Sequence, residues 1–333
     1  MATTKVTTDV IDMSGNTGGL VWAKGATGDQ PAVVDSTAGD LRENTTTFKT
    51  EVFNGTAWRN LKEATPALEL EYLVVAGGAG GGIGGGGAGG LLTNYLGTKL
   101  SLSTATTYTI EIGVGGNGSA NGSLAKSGNG GNSKFGVVGS EIIATGGGGA
   151  GTGGAVGAYN NGANGGSGGG SHANGTAGTA TPAGQGFAGS VGDSAGGAGG
   201  GASTVGSVPT EYGGGNGGAG ITSLISGVSS SYAGGGGGLA YNTGTAGTAS
   251  DGGGAGVFGF TATGISGTPN TGGGGGGSNG GSGGGSGVII LRYPSNYTAV
   301  FSSGVTQVEN TSISGVKINT ITAAGAGETV TFS

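Results

Sequence analysis

The sequence contains no cysteine, and it has only 6 prolines and one histidine in 333 residues. Without cysteine, the chain has no disulfide bonds and no thiolate metal sites. Scarce proline and irregular glycine spacing exclude a collagen-like triple helix. No run approaches the roughly 18 apolar residues of a membrane span, and the first residues lack the apolar core of a signal peptide. We therefore expect synthesis in a cytoplasm and no membrane insertion.

Charge is also scarce. Charged residues make up 8% of the chain, the formal net charge is −6, and no lysine or arginine occurs between Lys134 and Arg292. A nucleic-acid-binding surface needs clustered cations to neutralise phosphate groups. We therefore expect no nucleic-acid partner.

The residues that carry catalysis or hold cofactors form no convincing pattern. Matches to G-x-G-x-x-G occur by chance in a chain this rich in glycine, and no following helix is indicated that could hold a phosphate. His172 is the only histidine, and no G-x-S-x-G turn accompanies it. The sequence thus predicts that the protein is not an enzyme, with no catalytic residue, no metal site and no cofactor.

The chain is instead dominated by glycine, with 92 residues gathered into recurring runs. A flexible linker does not explain them, because larger side chains are segregated into the loops between the runs. Three structures remain in competition: substantial disorder, a glycine-rich β-solenoid or sheet, and a packed array of polyproline-II-like helices. The last is favoured. Helices without Cβ atoms can approach closely and exchange backbone hydrogen bonds, with Ala, Ser and Asn expected at outward positions.

The pattern divides the chain into three predicted domains. Residues 1–65 form an N-terminal β attachment module with a hairpin turn at Asn54-Gly55. Residues 66–295 form the glycine-rich domain with apolar boundary strands, and residues 296–333 form a C-terminal β cap. The predicted fold is mainly irregular and all-β, a packed array of glycine-rich polyproline-II-like helices flanked by small β modules, with essentially no α-helix.

The boundary strands carry a family resemblance. Residues 71–78 lead into the glycine runs, and residues 272–277 and 287–294 close them. This arrangement resembles the glycine-rich domain of bacteriophage virion proteins, including tail-fibre and adhesin-like proteins of marine and cyanobacterial phages. It is similar in kind to the distal adhesins of T-even-like phages, whose glycine helices pack in a sandwich and whose loops at one end recognise the host. Residues 39–58 resemble a β module of phage fibres, usually an attachment or trimeric region.

The resemblance implies a function. We expect a virion structural protein, a tail-fibre or tail-tip adhesin that presents loops for host-receptor recognition. Its expected partners are a host cell-surface receptor, protein or polysaccharide, and other virion proteins bound through residues 1–65, and a homotrimer is possible. Two alternatives stay open: a head fibre or capsid decoration protein, and a glycine-rich structural or ice-binding protein.

The receptor-binding loop candidates are the larger side chains between glycine runs. Rings on loops of a rigid scaffold offer large contact areas, and the alternative is that each packs over the glycine layers as an end cap. In an up-and-down array, about half of the loops share one end. The candidates are Tyr159, His172, Phe187, Tyr212, Tyr232, Tyr241, Phe258 and Phe260.

Overall fold

A computed structural model describes residues 23–29, 40–60, 68–104, 106–123, 125–153, 157–259 and 264–333. The chain divides into two compact units, Met1–Pro66 and Ala67–Ser333. The described residues contain no α-helix; their helical segments are two short 3-10 turns, Thr27–Asp29 and Gly157–Asn160. The protein is therefore essentially all-β, as its composition predicted. None of the described helical segments has the length and apolar character needed to cross a membrane.

The first unit contains a four-stranded sheet. Its strands, in sheet order, are β1 (Ala23–Gly25), β2 (Leu41–Asn44), β3 (Lys49–Phe53) and β4 (Trp58–Asn60). The β3–β4 hairpin confirms the predicted turn.

Side chains explain both the turn and the interior of this unit. Asn54 Oδ1 accepts hydrogen bonds from the backbone N–H groups two and three residues later, and Gly55 has a φ of 96°. Between the paired strands β2 and β3, Arg42 and Glu51 form a buried ion pair at 3.4 Å. Asn44 donates a 2.8 Å hydrogen bond to Glu51, so the buried carboxylate has two partners.

The second unit contains two larger sheets. Their strands and those of a separate hairpin are β5 Leu68–Val75, β6 Leu91–Thr93, β7 Leu100–Leu102, β8 Thr107–Glu111, β9 Ser133–Gly136, β10 Ile142–Ala144, β11 Ile221–Ser223, β12 Ser230–Tyr232, β13 Val288–Pro294, β14 Ala299–Phe301, β15 Thr306–Asn310, β16 Val316–Ala323 and β17 Thr329–Phe332. One sheet has the order β15-β16-β13-β5-β6, with β7 also paired to β5, and the other has the order β10-β9-β8-β17-β14. The separate hairpin joins β11 and β12.

The two boundary strands lie at the centre of the larger sheet. β5 and β13 pair antiparallel, with Val75 opposite Val288, so the glycine-rich chain leaves and re-enters the sheet at one place. One face of these strands packs on the smaller sheet through Leu70, Leu291 and Phe332. The other face contacts Ile225 and Tyr232 beside the glycine runs. The large apolar side chains are therefore concentrated at this end.

Strands of residues 296–333 belong to the same two sheets as strands of the glycine-rich segment. β16 pairs with β13, and β17 pairs with β8. The pattern predicted strands close to β14, β16 and β17 but missed β15, which pairs with β16. Its side chains are largely exposed, so it lacks the apolar alternation that marks a half-buried strand.

The glycine runs are helices with three residues per turn, and the hydrogen bonds of Gly84–Gly90 show this most directly. Gly84, Gly87 and Gly90 donate backbone hydrogen bonds to one neighbouring run, at residues 145–151. The N–H groups of Gly85 and Ala88 bond to a second run, at residues 197–200. Those of Gly86 and Gly89 bond to a third run, at residues 272–275. A donor direction that repeats every third residue is the geometry of polyproline II, which makes no internal hydrogen bonds.

This run lies at the centre of the array. In addition to the three runs that accept its hydrogen bonds, three described runs donate to its carbonyl groups, at residues 76–79, 167–170 and 236–239. The central run thus has six hydrogen-bonded neighbours in the described chain, three on its donor side and three on its acceptor side. Backbone pairing between helices replaces an apolar core in the array.

The positions of the alanine residues in the array contradict one expectation from the sequence. The pattern placed Ala at outward positions, yet Ala79, Ala88, Ala150 and Ala198 are all fully buried. A threefold helix directs each residue toward a different neighbour, so single methyl groups fill gaps between helices without separating them.

In the outer runs, asparagine side chains accept hydrogen bonds from backbone N–H groups that face no further helix. Asn129 and Asn132, three residues apart, accept hydrogen bonds from the N–H groups of Gly149 and Gly146. Asn161 and Asn164 do the same for Thr176 and Thr179. Asparagine therefore satisfies outward N–H groups at the threefold spacing of the helix.

Candidate functional site

The array has two distinct ends. The run after β5 covers residues 76–82, about 20 Å in a polyproline II helix, and turns at Ile83 before returning to β6. We call the end at Ile83 the distal end. There Ile83 packs with Leu239, Val257 and Tyr241 in a small apolar cluster that closes the array. Loops that leave the array at this end are thus anchored on a packed base.

Five of the predicted loop residues lie at the distal end. Tyr241 belongs to the closing cluster, and Phe258 follows Val257 with 53% of its surface exposed. The backbone of Tyr241 donates a hydrogen bond to the Tyr212 carbonyl. His172 and Tyr241 have their ring centroids 6.2 Å apart. Next to them, Tyr159 lies in the 3-10 turn that contacts the His172 backbone through Asn160.

The other candidates lie elsewhere. Tyr232 is only 7% exposed, because it is on β12 and packs in the core beside β5 and β13. Phe187 is 42% exposed and bonds through its backbone to Gly201, toward the sheet end of the array. Phe260 lies outside the described residues. The distal end therefore gathers Tyr159, His172, Tyr212, Tyr241 and Phe258, and leaves out Phe187 and Tyr232.

Three of these residues share an open cleft of about 460 Å³. Its lining includes His172, Tyr212 and Tyr241 together with side chains that the pattern did not single out: Asn121, Ser194 and Asn242. Asn242 directly follows Tyr241, and its left-handed φ of 45° is one that asparagine tolerates better than most residues. Its position next to Tyr241 was the signal that could have identified Asn242, whereas Asn121 and Ser194 adjoin no aromatic residue in the sequence.

Gly153 also lines the cleft, and its missing side chain leaves room for two polar atoms. A Cβ atom at this position would lie 2.6 Å from Asn121 Oδ1 and 3.2 Å from His172 Nδ1. Its φ of 74° is in the left-handed region, which glycine adopts without strain. Asn121, His172 and Gly153 thus form one corner of the cleft.

The titratable groups of the cleft are uncharged at neutral pH. Burial lowers the pKa of His172 below 6.5, although the Ser194 backbone and the Asp193 charge act in the opposite direction. Burial raises the pKa of Tyr241 to about 12. A hydrogen bond to Glu211 raises the pKa of Tyr212. Both tyrosine hydroxyl groups therefore keep their protons.

One buried polar atom of the cleft lining has no hydrogen-bond partner among the described residues. His172 Nδ1 is buried and unpaired there. The described residues contain no group of three or more His, Asp or Glu side chains that could hold a metal ion. The arrangement is suited to binding through ring faces and neutral polar groups.

The comparisons with known proteins give one match. A family model described as a glycine-rich domain matches residues 52–294, which include both boundary strands and all of the candidate loops. Searches of curated proteins and of solved structures give no match.

Proposed function

The chain belongs to the glycine-rich domain family, and we propose that it is a bacteriophage virion structural protein that acts as a tail-fibre or tail-tip adhesin. The resemblance of its boundary strands and glycine runs to phage adhesins supports the phage context. The observation that carries the receptor-binding role is the grouping of Tyr159, His172, Tyr212, Tyr241 and Phe258 at the distal end.

Rigidity makes this grouping effective. The loops start from helices whose backbones are hydrogen-bonded to several neighbouring helices, so little conformational entropy of the loops is lost when a receptor binds. Tyrosine and phenylalanine rings add a large contact area at low rotamer cost. The proposed role is binding, without catalysis and without a cofactor.

The proposal also includes location and partners. The chain is part of the virion, residues 1–65 attach it to other virion proteins, and the distal end contacts a protein or polysaccharide receptor on the host cell. A homotrimer, the usual assembly of fibre proteins, is compatible with this arrangement. Light scattering of the purified chain measures the oligomeric state.

Cell binding tests the adhesin role. Fluorescently labelled protein is added to a panel of bacteria that includes the strain on which a phage encoding this chain grows, and phage adsorption is measured with and without an excess of protein. We expect saturable binding that blocks adsorption. The double variant Tyr212→Ala, Phe258→Ala is expected to lose both effects.

The control is Ile265→Ala, which shortens an exposed side chain on an outer run away from the cleft. Thermal unfolding of each variant establishes that it is folded. If folded wild-type protein binds no cell in the panel, the adhesin role is contradicted. A head-fibre or capsid decoration role would then be favoured, and stoichiometric labelling of the capsid would test it.

A further inference from the structure

The chemistry of the distal cleft narrows the kind of ligand. Its volume of about 460 Å³ lies within the range of small-molecule sites, about 300–1,000 Å³. Its described lining contains three rings, two asparagine amides and one serine hydroxyl, and no lysine, arginine, aspartate or glutamate. The part of a ligand that fills this site is therefore small and rich in hydroxyl or amide groups.

The rings and amides provide two complementary kinds of contact. The faces of aromatic rings are electron-rich and attract C–H groups that carry partial positive charge. The side-chain amides of Asn121 and Asn242 can each donate and accept hydrogen bonds at once. Sugar rings present both features, C–H groups on a ring face and hydroxyl groups around the rim, and each hydroxyl is also both donor and acceptor.

Charge disfavours an acidic ligand. Asp193 is close enough to influence the ionisation of His172, and the Glu211 side chain is hydrogen-bonded to Tyr212. Both carboxylates flank the cleft, and its described lining offers no cation to balance an acidic sugar. A neutral ligand therefore fits the site better than a uronic or sialic acid.

The size of the cleft also argues against a folded protein surface as its main occupant. A stable protein–protein contact typically buries about 800 Å² on each partner around an apolar centre. This cleft is open and small, its described lining contains no aliphatic side chain, and the apolar cluster at Ile83 packs inside the array. One small polar unit of a longer chain matches this volume.

We infer that the distal cleft binds a neutral sugar unit of a cell-surface polysaccharide, with ring faces of Tyr212 and Tyr241 against the sugar and the amides of Asn121 and Asn242 on its hydroxyl groups. This inference rests on the proposed adhesin function and specifies its receptor class.

His172 supplies a direct probe. Because it is the only histidine in the chain, the Hε1 proton of its ring gives a single NMR signal of this type, which reports on the cleft. The protein is titrated with neutral oligosaccharides containing glucose, galactose, mannose or N-acetylglucosamine, and in parallel with sialylated and uronic-acid-containing oligosaccharides. We expect a saturable shift of the His172 signal with at least one neutral sugar and a weaker response, or none, with the acidic sugars.

Two variants test the contacts. Tyr212→Ala removes one ring, and Asn242→Gly removes one amide while keeping a backbone that tolerates the left-handed φ. Each is expected to weaken binding about tenfold, equivalent to about 1.4 kcal/mol. The matched controls are Ile265→Ala and Asn174→Gly, the latter on an exposed asparagine with a φ of 57° that does not line the cleft. Both controls are expected to bind within about twofold of wild type, because they remove no contact to the sugar.

Pretreated cells separate this inference from the adhesin function. Periodate, at a concentration that opens sugar rings with neighbouring hydroxyl groups, is applied to the bacteria that bind the protein, and protease treatment in parallel removes surface proteins. Binding lost only after periodate, together with a His172 shift by a neutral sugar, supports the inference. Binding lost only after protease, without a His172 shift by any sugar, overturns it and leaves the adhesin function intact. Absence of binding to untreated cells and to every sugar contradicts both.

Discussion

Gly86 illustrates at the scale of one residue what the array demands of its backbone. A Cβ atom here would lie 2.3 Å from the carbonyl oxygen of Ala79 and 2.8 Å from that of Gly80. Both atoms are backbone of a neighbouring helix, so no side chain can rotate away to make room. Any substitution must push two hydrogen-bonded helices apart.

We therefore predict that Gly86→Ala destabilises the protein by about 3 kcal/mol, the upper part of the usual range for overpacking. The matched control is Gly280→Ala, because nothing lies within 4 Å of a Cβ atom at Gly280. Thermal and denaturant unfolding of both variants measure the difference. Equal stabilities would contradict the close backbone packing described for the central run.

His172 gives a second prediction at this scale, on the pH dependence of stability. Its folded pKa lies below its usual 6.5, so the unfolded chain takes up the proton first as the pH falls. Well above pH 6.5 the residue is neutral in both states and contributes no pH dependence. Below it, the contribution of His172 to folding stability decreases until the folded ring also protonates.

We expect wild-type protein to lose more stability between pH 7.5 and pH 5, a window of about 2.5 units around the usual histidine pKa, than His172→Gln does. The charged or titratable groups that face the ring are Asp193, Tyr241 and Tyr212, and both tyrosines stay protonated in this range. Denaturant unfolding at each pH gives the two curves. Parallel curves would show that His172 is not the group responsible.

At the scale of elements, the stability of the array depends on which groups accept hydrogen bonds from the N–H groups of its outer helices. An isolated polyproline II helix leaves all its N–H groups to water, whereas the buried Gly149 has its N–H group bonded at 2.8 Å to Asn129. The side-chain amide thus replaces a further helix. This device resembles the capping of an α-helix, with a three-residue spacing in place of the helical one.

We predict that Asn129→Ala destabilises the array by about 1–3 kcal/mol, because it leaves a buried N–H group without a partner. Hydrogen exchange of the Gly149 amide provides the local measurement, and its protection is expected to fall more than that of Gly148, whose N–H group bonds to the Ser167 carbonyl. Asn117→Ala, on an exposed asparagine, is the control. Unchanged protection at Gly149 would contradict the capping role.

Sequence patterns predicted most elements of the sheets and the existence of the array. The alternating boundary strands and the Asn54-Gly55 turn are local signals, and the structure confirms them as β5, β13 and the β3–β4 hairpin. Which glycine runs are neighbours could not be predicted. Runs of nearly identical composition offer similar backbone groups, so pairing such as that of residues 84–90 with residues 145–151 is decided by the whole packing.

At the scale of the whole molecule, the division into Met1–Pro66 and Ala67–Ser333 predicts separable behaviour. A chain of residues 67–333 contains both large sheets, the array and the distal cleft. We expect it to fold alone, with an unfolding midpoint within about 4 °C of its transition in the full chain, a shift of about 1 kcal/mol or less. We also expect it to bind cells as the full chain does.

In contrast to its folding and cell binding, the incorporation of the shortened chain into virions is expected to change. Because residues 1–65 are proposed to attach the protein, the shortened chain is expected to be absent from purified particles when it replaces the full chain. Calorimetry follows the folding of the shortened chain, and immunoblotting of particles follows its incorporation. Normal incorporation without residues 1–65 would contradict their attachment role.

The sequence by itself determined the kind of order that this protein can have. Its glycine content, the small share of large apolar residues and the scarcity of charge favour backbone hydrogen bonding over a large side-chain core, and the alternating strands determine where the glycine runs begin and end. The tertiary structure alone decided which loops meet. Tyr212 and Tyr241 are far apart in the chain, and they share a cleft with His172 because the run that leads to Tyr241 packs antiparallel to the run that starts after Tyr212, so that both residues lie at the same level of the distal end. Local composition carries no information about that level, since it depends on which helices are neighbours and on the length of each run between its turns.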